Sequence, residues 1–292
     1  MSAAPRGDHR RPAARRGTDR PRPLTCVSVV RVAVRPSVGP PLLLFHGWNG
    51  SSHNFGAWLP VLEPHFSVLA PDLPGCAGVA TLSVTHTARA YADWALRAMD
   101  ARGLDGVVAG GLCSGTAIAL ALAGIAPSRV RGLLLHTPFL RPGLIRPAIR
   151  AQLALLSSPL GVLFAPLRRS TTLSMLHRRL FAEAADVDAE HLAHDQADLL
   201  RADPAAARDL ARDLFTVDRT AVLRAWTKPL AVVLADGDAF IDAPGTAAAV
   251  SLAAPQAMIA RFPGGHGWTP AYREHQNEAL AGLAARLTAA LV

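Results

Sequence analysis

Gly111, Cys113 and Gly115 carry the arrangement with the clearest chemical meaning. A thiol with glycine two positions to either side, in the run VVAGGLCSGTAIALAL from Val107 to Leu122, has the spacing of a G-x-S-x-G nucleophile elbow with sulfur in place of oxygen. The glycines follow from geometry. A nucleophile on a sharp strand-to-helix turn is held in strained φ/ψ, and side chains at −2 and +2 would collide with the neighbouring strand or helix. Ser114 lacks that clearance, because its corresponding neighbours are Leu112 and Thr116. The same turn could simply bury a small thiol, and the pattern alone does not separate the two. A base, an orienting acid and oxyanion donors elsewhere in the chain would.

The elements that must position these groups are short apolar runs, each ending in a polar loop. Leu42 to Phe45 runs into His46-Gly47-Trp48-Asn49-Gly50, and Phe66 to Ala70 into PDLPG. Gly132 to His136 ends at Thr137-Pro138, Leu230 to Leu234 ends in ADGD, and Ala257 to Phe262 in PGGHG. Cys26 to Val34 alternates and is β-branched, as an edge strand or hairpin arm would be. Helical stripes fall at Tyr91, Trp94, Ala95, Ala98 and Met99 and at Leu280, Leu283, Leu287 and Leu291. Buried strands alternating with helices predict an α/β fold with a mostly parallel central sheet, whose site lies at the carboxyl ends of the strands. His46, Asp72, Cys113, Asp238 and His266 all follow a predicted strand.

Between residues 137 and 228 no convincing strand occurs. Pro142, Pro147, Pro159, Pro166 and Pro204 punctuate a segment rich in Leu, Ala and Arg, which predicts several short helices rather than a long irregular loop. This segment reads as a helical cap inserted into a core formed by residues 25–136 and 229–292. His191, His194 and Asp195 in it read as the polar face of a cap helix rather than metal ligands, since no further His or Cys sits nearby.

The net charge of +8 is uneven. Residues 1–24 hold seven Arg and two Asp, a local charge of +5, which leaves +3 for the rest. That tail has almost no large apolar residues and is expected to be a disordered, solvated extension, not a nucleic-acid site. No apolar segment of signal or membrane-span length follows it. Three cysteines without framework spacing fit a reducing cytoplasm. No phosphate loop, dinucleotide motif or metal cluster is present, so no cofactor or metal is expected.

Five motifs, LLLFHGWNG, APDLPG, GGLCSGTAIAL, VLADGD and FPGGHG, occur in the order of the α/β-hydrolase superfamily, with the acid before the base. The chain resembles that superfamily from about Val29 to its C-terminus, as a capped member with cysteine in the elbow. The resemblance implies that Cys113 is the nucleophile, His266 the general base and Asp238 the orienting acid. Asp236 falls two residues early for that role and Asp242 four late. It also implies an oxyanion hole from the backbone N–H groups of Trp48 and Ser114, with His46 and Asp72 bracing their loops. Trp48, Trp226 and Trp268 fit a pocket or the core equally. A Cys-His-Asp triad implies an esterase or thioesterase forming an acyl-thioester intermediate on a small-molecule ester or thioester, which could be bound to coenzyme A or a carrier protein. The alternatives are an acyltransferase or cyclase using an activated thioester in secondary metabolism, and a non-catalytic acyl-binding member.

Overall fold

A computed structural model of the chain describes residues 39–164, 170, 172, 189–266 and 270–292. The run from Cys26 to Val34, the basic tail, Pro166, Gly267 and Trp268 lie outside the described residues, as does the side chain of His191. Six strands form one sheet: β1 (Pro41–Phe45), β2 (Ser67–Leu69), β3 (Val107–Leu112), β4 (Val130–His136), β5 (Leu230–Ala235) and β6 (Met258–Phe262). Their order is β2-β1-β3-β4-β5-β6, and every adjacent pair is parallel. The α/β architecture with a mostly parallel sheet is therefore as the sequence implied, and all strand ends bearing polar loops share one edge.

The helices are α1 (Leu59–Leu62), α2 (Ala88–Asp100), α3 (Ser114–Ile125), α4 (Pro147–Ser157), α5 (Ala189–Arg201), α6 (Pro204–Thr216), α7 (Thr220–Arg224), α8 (Ala243–Ala253) and α9 (Arg273–Ala289). Alternate strand residues feed two core layers, as a period of two requires. Leu43, Phe45, Ala109, Leu135 and Val232 pack with α2 and α3, whereas Leu42, Leu44, Val108, Leu134 and Val233 pack with α1 and α9. Each fully buried Leu contributes about 2 kcal/mol through the apolar area it removes from water. The predicted stripes supply these faces. Tyr91, Ala95 and Met99 are buried on α2, and Leu280, Leu283 and Leu287 on α9.

Between β4 and β5 the described residues form helices α4 to α7 and short 3-10 turns. Pro147 and Pro204 open α4 and α6 at the first helical positions, where proline's fixed φ fits and its missing N–H costs nothing. Asp203 caps α6 by accepting from the backbone N–H groups of Ala205 and Ala206. Among the described residues no helix is long and apolar enough to cross a membrane.

Candidate active site

Cys113 sits between the end of β3 and the start of α3 with φ 55 and ψ −121, a conformation unfavourable for a residue with a Cβ. Its own N–H donates to the His136 carbonyl at 3.1 Å, and the Thr116 hydroxyl donates to its carbonyl at 2.5 Å. The elbow glycines have the predicted reason to be glycine. A Cβ on Gly111 would overlap the backbone of Gly115, and one on Gly115 would overlap the carbonyl of Phe45. The elbow thus closes tightly onto β1, whose loop passes over the sulfur. The position a Cβ would take on Gly47 lies 3.4 Å from Cys113 Cβ and 4.0 Å from Sγ.

His46 fastens this loop. It is fully buried, its Nε2 accepts from the Leu73 N–H at 3.0 Å, and its Nδ1–H donates to the Gly47 carbonyl at 2.9 Å. Burial lowers its pKa, consistent with this neutral tautomer. Gly50 N–H also reaches the Gly47 carbonyl, at 3.1 Å. With that carbonyl held on one face of a trans peptide, the Trp48 N–H is turned to the other. The Trp48 indole donates to the Ala207 carbonyl on α6 at 2.8 Å. Asp72 braces the same loop by accepting from the Ser52 N–H at 2.7 Å. Trp226, in contrast, is a core residue, buried with its indole donating to Pro229.

Asp238 and His266, 28 residues apart in sequence, meet beyond the ends of β5 and β6. His266 Nδ1 lies 2.8 Å from Asp238 Oδ2 and 3.0 Å from Oδ1, and both residues are buried. Asp238 Oδ1 also accepts from the N–H groups of Phe240 and Ile241 at 2.7 and 2.9 Å. The turn is clamped from outside by an Ile145–Ile241 antiparallel bridge and by Arg146, whose Nε donates to the Asp238 carbonyl at 2.8 Å. Asp236, by comparison, points to the surface and pairs with Arg261 at 2.6 Å. Burial is the strongest influence on both partners and disfavours both charges. The mutual attraction outweighs it, so Asp238 stays below the usual carboxylate range and His266 rises to about 10, helped by the Cys113 sulfur. With Nδ1 on Asp238, the other ring nitrogen, Nε2, is left for the Cys113 sulfur, whose charge and hydrogen bonding both raise the imidazole; no nitrogen or oxygen among the described residues partners it.

The structure thus brings together Cys113, His266, Asp238 and the Gly47–Trp48 peptide. Several neighbours were not evident in the sequence. His136, at the end of β4, accepts from the Gln276 side-chain amide on α9 at 2.8 Å, and burial pushes it down to about 3. No local pattern links residues 140 positions apart. Phe139 and Phe240 flank His266. An aromatic residue two positions after the acid was the only available signal for Phe240. Among the described residues no group of three His, Cys, Asp or Glu side chains could hold a metal ion.

A family model for the alpha/beta hydrolase fold matches residues 40–267. The chain belongs to that family. Solved structures similar to it include an esterase from Thermogutta terrifontis, with 22% identity, a TM-score of 0.68 and coverage of 86% of this chain and 91% of that one. The haloalkane dehalogenase DbeA from Bradyrhizobium elkani has 21% identity, a TM-score of 0.69 and coverage of 87% and 92%. A point mutant of the N-acyl homoserine lactonase AidH, complexed with N-hexanoyl homoserine, has 20% identity, a TM-score of 0.67 and coverage of 87% and 90%. At these identities the likeness is one of fold. The magnesium-chelatase 30 kDa subunit of Rhodobacter capsulatus is 48% identical over 40 residues, which is 14% of each chain.

Proposed function

We propose that the protein is an acyl-cleaving hydrolase of esterase or thioesterase type working through a Cys113–His266–Asp238 triad. The observation that supports this most is the pairing of a strained, elbow-borne Cys113 with a buried His266 whose Nδ1 is held 2.8 Å from Asp238. Esterase and lactonase activities named for structures of similar fold agree with an ester-type substrate.

In this reading the Cys113 proton already resides on His266 as a thiolate–imidazolium pair, and the Cys113 thiolate attacks the substrate carbonyl carbon. The S–C bond forms as the carbonyl π pair moves to oxygen, where the Trp48 and Ser114 N–H groups stabilise it. Each such donor is worth about 3 kcal/mol of barrier. Collapse breaks the bond to the leaving group, which takes the proton from His266 Nε2. His266 then deprotonates a water that attacks the thioester carbonyl, and the thiolate departs with its bonding pair. Asp238 keeps the imidazole in one tautomer and orientation throughout.

The test is intact mass after brief exposure to an activated acyl ester and, separately, an acyl thioester. An acyl-sized gain on wild type that is absent from Cys113→Ala and His266→Ala is expected, decaying in water. The same adduct on Cys113→Ala, or none on wild type, would overturn the nucleophile assignment. Decay only after an amine or alcohol is added would assign acyl transfer instead.

A further inference from the structure

Two aromatic side chains wall the His266 ring. Phe240 lies nearly parallel to it, with centroids 4.2 Å apart and planes 23° from coplanar. Phe139 stands edge-on at 5.9 Å and 87°. Both arrive there through main-chain bonds. The Phe240 N–H donates to Asp238 Oδ1 at 2.7 Å and its carbonyl accepts from Arg146 N–H at 2.9 Å, while Phe139 N–H donates to the Thr116 hydroxyl at 3.1 Å. The Phe240 ring is therefore not needed to hold Asp238, and its contact with His266 is a separate feature.

We infer that Phe240 is a positioning residue for the proposed general base, its ring face fixing the tilt of the His266 imidazole and favouring the imidazolium form. This rests on the reading of His266 as the base. The physical reason is the aromatic quadrupole. Its negative face attracts a cation lying over it, most strongly where water is excluded, and His266 is buried. Among the described residues, the charged and titratable groups facing the ring are Asp238 from the turn after β5, Cys113 from the elbow and His136 from the end of β4. Asp238 can fix the ring only along the Nδ1 direction. It leaves rotation about that hydrogen bond open, and a flat surface against one face removes that freedom. Phe139, edge-on, limits movement on a second side.

The test follows the titration of His266 by NMR in the full chain, together with the pH dependence of Cys113 alkylation by iodoacetamide. Phe240→Leu keeps an apolar side chain of similar bulk but no π face. It is expected to lower the His266 midpoint by about half a unit to one unit, and Phe240→Tyr to restore it. An unchanged midpoint in Phe240→Leu would overturn the inference. So would equal shifts in the Leu and Tyr variants, which would reduce Phe240 to packing. Should the Leu variant not fold, Phe240→Met, also bulky and without a ring, is read in the same way. Failure of the underlying reading looks different: the Cys113 alkylation profile would then be the same in His266→Ala as in wild type.

Discussion

Gly115 stands so close beneath Phe45 that the Cβ it lacks would overlap the Phe45 carbonyl oxygen. The first turn of α3 and the end of β1 are therefore in backbone contact, and that contact sets the Gly47–Trp48 peptide over Cys113. Gly115→Ala should force two main-chain segments apart at a cost of about 3 kcal/mol, lowering the melting midpoint by roughly 10 °C. Gly282 on α9 has nothing within 4 Å of its Cβ position, so Gly282→Ala should instead stabilise by about 0.5–1 kcal/mol through helix propensity. Thermal melts of both variants check this. A Gly115→Ala protein as stable as wild type would mean that the elbow is looser than its geometry.

Asp238 and His266 have opposite alkaline and acid limits. The His266 pKa is raised from 6.5 to about 10, so its contribution to stability is complete below 6.5 and is lost as pH rises through about 10. The Asp238 pKa is lowered from 3.8, so its contribution is present above 3.8 and is lost as pH falls through the lower value. Wild-type melting midpoints should decline between pH 6.5 and 10 more steeply than those of His266→Asn. Parallel profiles for the two proteins would contradict the raised imidazole.

Much of the proposed site was legible because its residues lie next to strand ends. Cys113, Asp238 and His266 each follow an apolar run, and a Cβ at 111 or 115 would overlap neighbouring backbone. Six strands and the stripes of α2 and α9 were similarly readable from periods of 2 and 3.6. Other features had no local signature. The His136–Gln276 hydrogen bond and the Phe240 stack depend on where distant segments come to rest. The Arg146 contact with the Asp238 carbonyl depends on a bridge between Ile145 and Ile241, 96 positions apart. Pairings of that kind are decided by packing rather than by neighbouring residue types.

Cys76 offers a contrast with Cys113 in the same native protein. It is buried in the loop after PDLPG, and burial, reinforced by Asp198 and Asp72, pushes its thiol up to about 12. Thiolate is the reactive species, so iodoacetamide at about pH 8 should leave Cys76 unlabelled in the folded protein and label it on unfolding. Peptide mapping by mass spectrometry reads this directly. Rapid native labelling of Cys76 would show that its loop opens readily.

Helices α5 and α6 are sewn to the loop after β1 at several points. The Ser51 hydroxyl donates to Asp198 Oδ2 at 2.5 Å, Asn54 to Asp195 at 3.4 Å, and the Trp48 indole to Ala207 at 2.8 Å, while His53 and His194 stack at 3.8 Å. Asp198 is the anchor of this set, being 3% exposed and also paired with Arg201. Asp198→Ala leaves the buried Ser51 hydroxyl without its acceptor and should cost about 2 kcal/mol. Because the same loop carries the Trp48 N–H, the loss should extend beyond α5. Hydrogen exchange followed by mass spectrometry should show residues 46–55 and 189–216 losing protection together in this variant, and under the proposed function the rate of acyl-enzyme formation should fall with them. Faster exchange confined to α5, with 46–55 and the acylation rate unchanged, would separate the helices from the loop after β1 and restrict Asp198 to local stability.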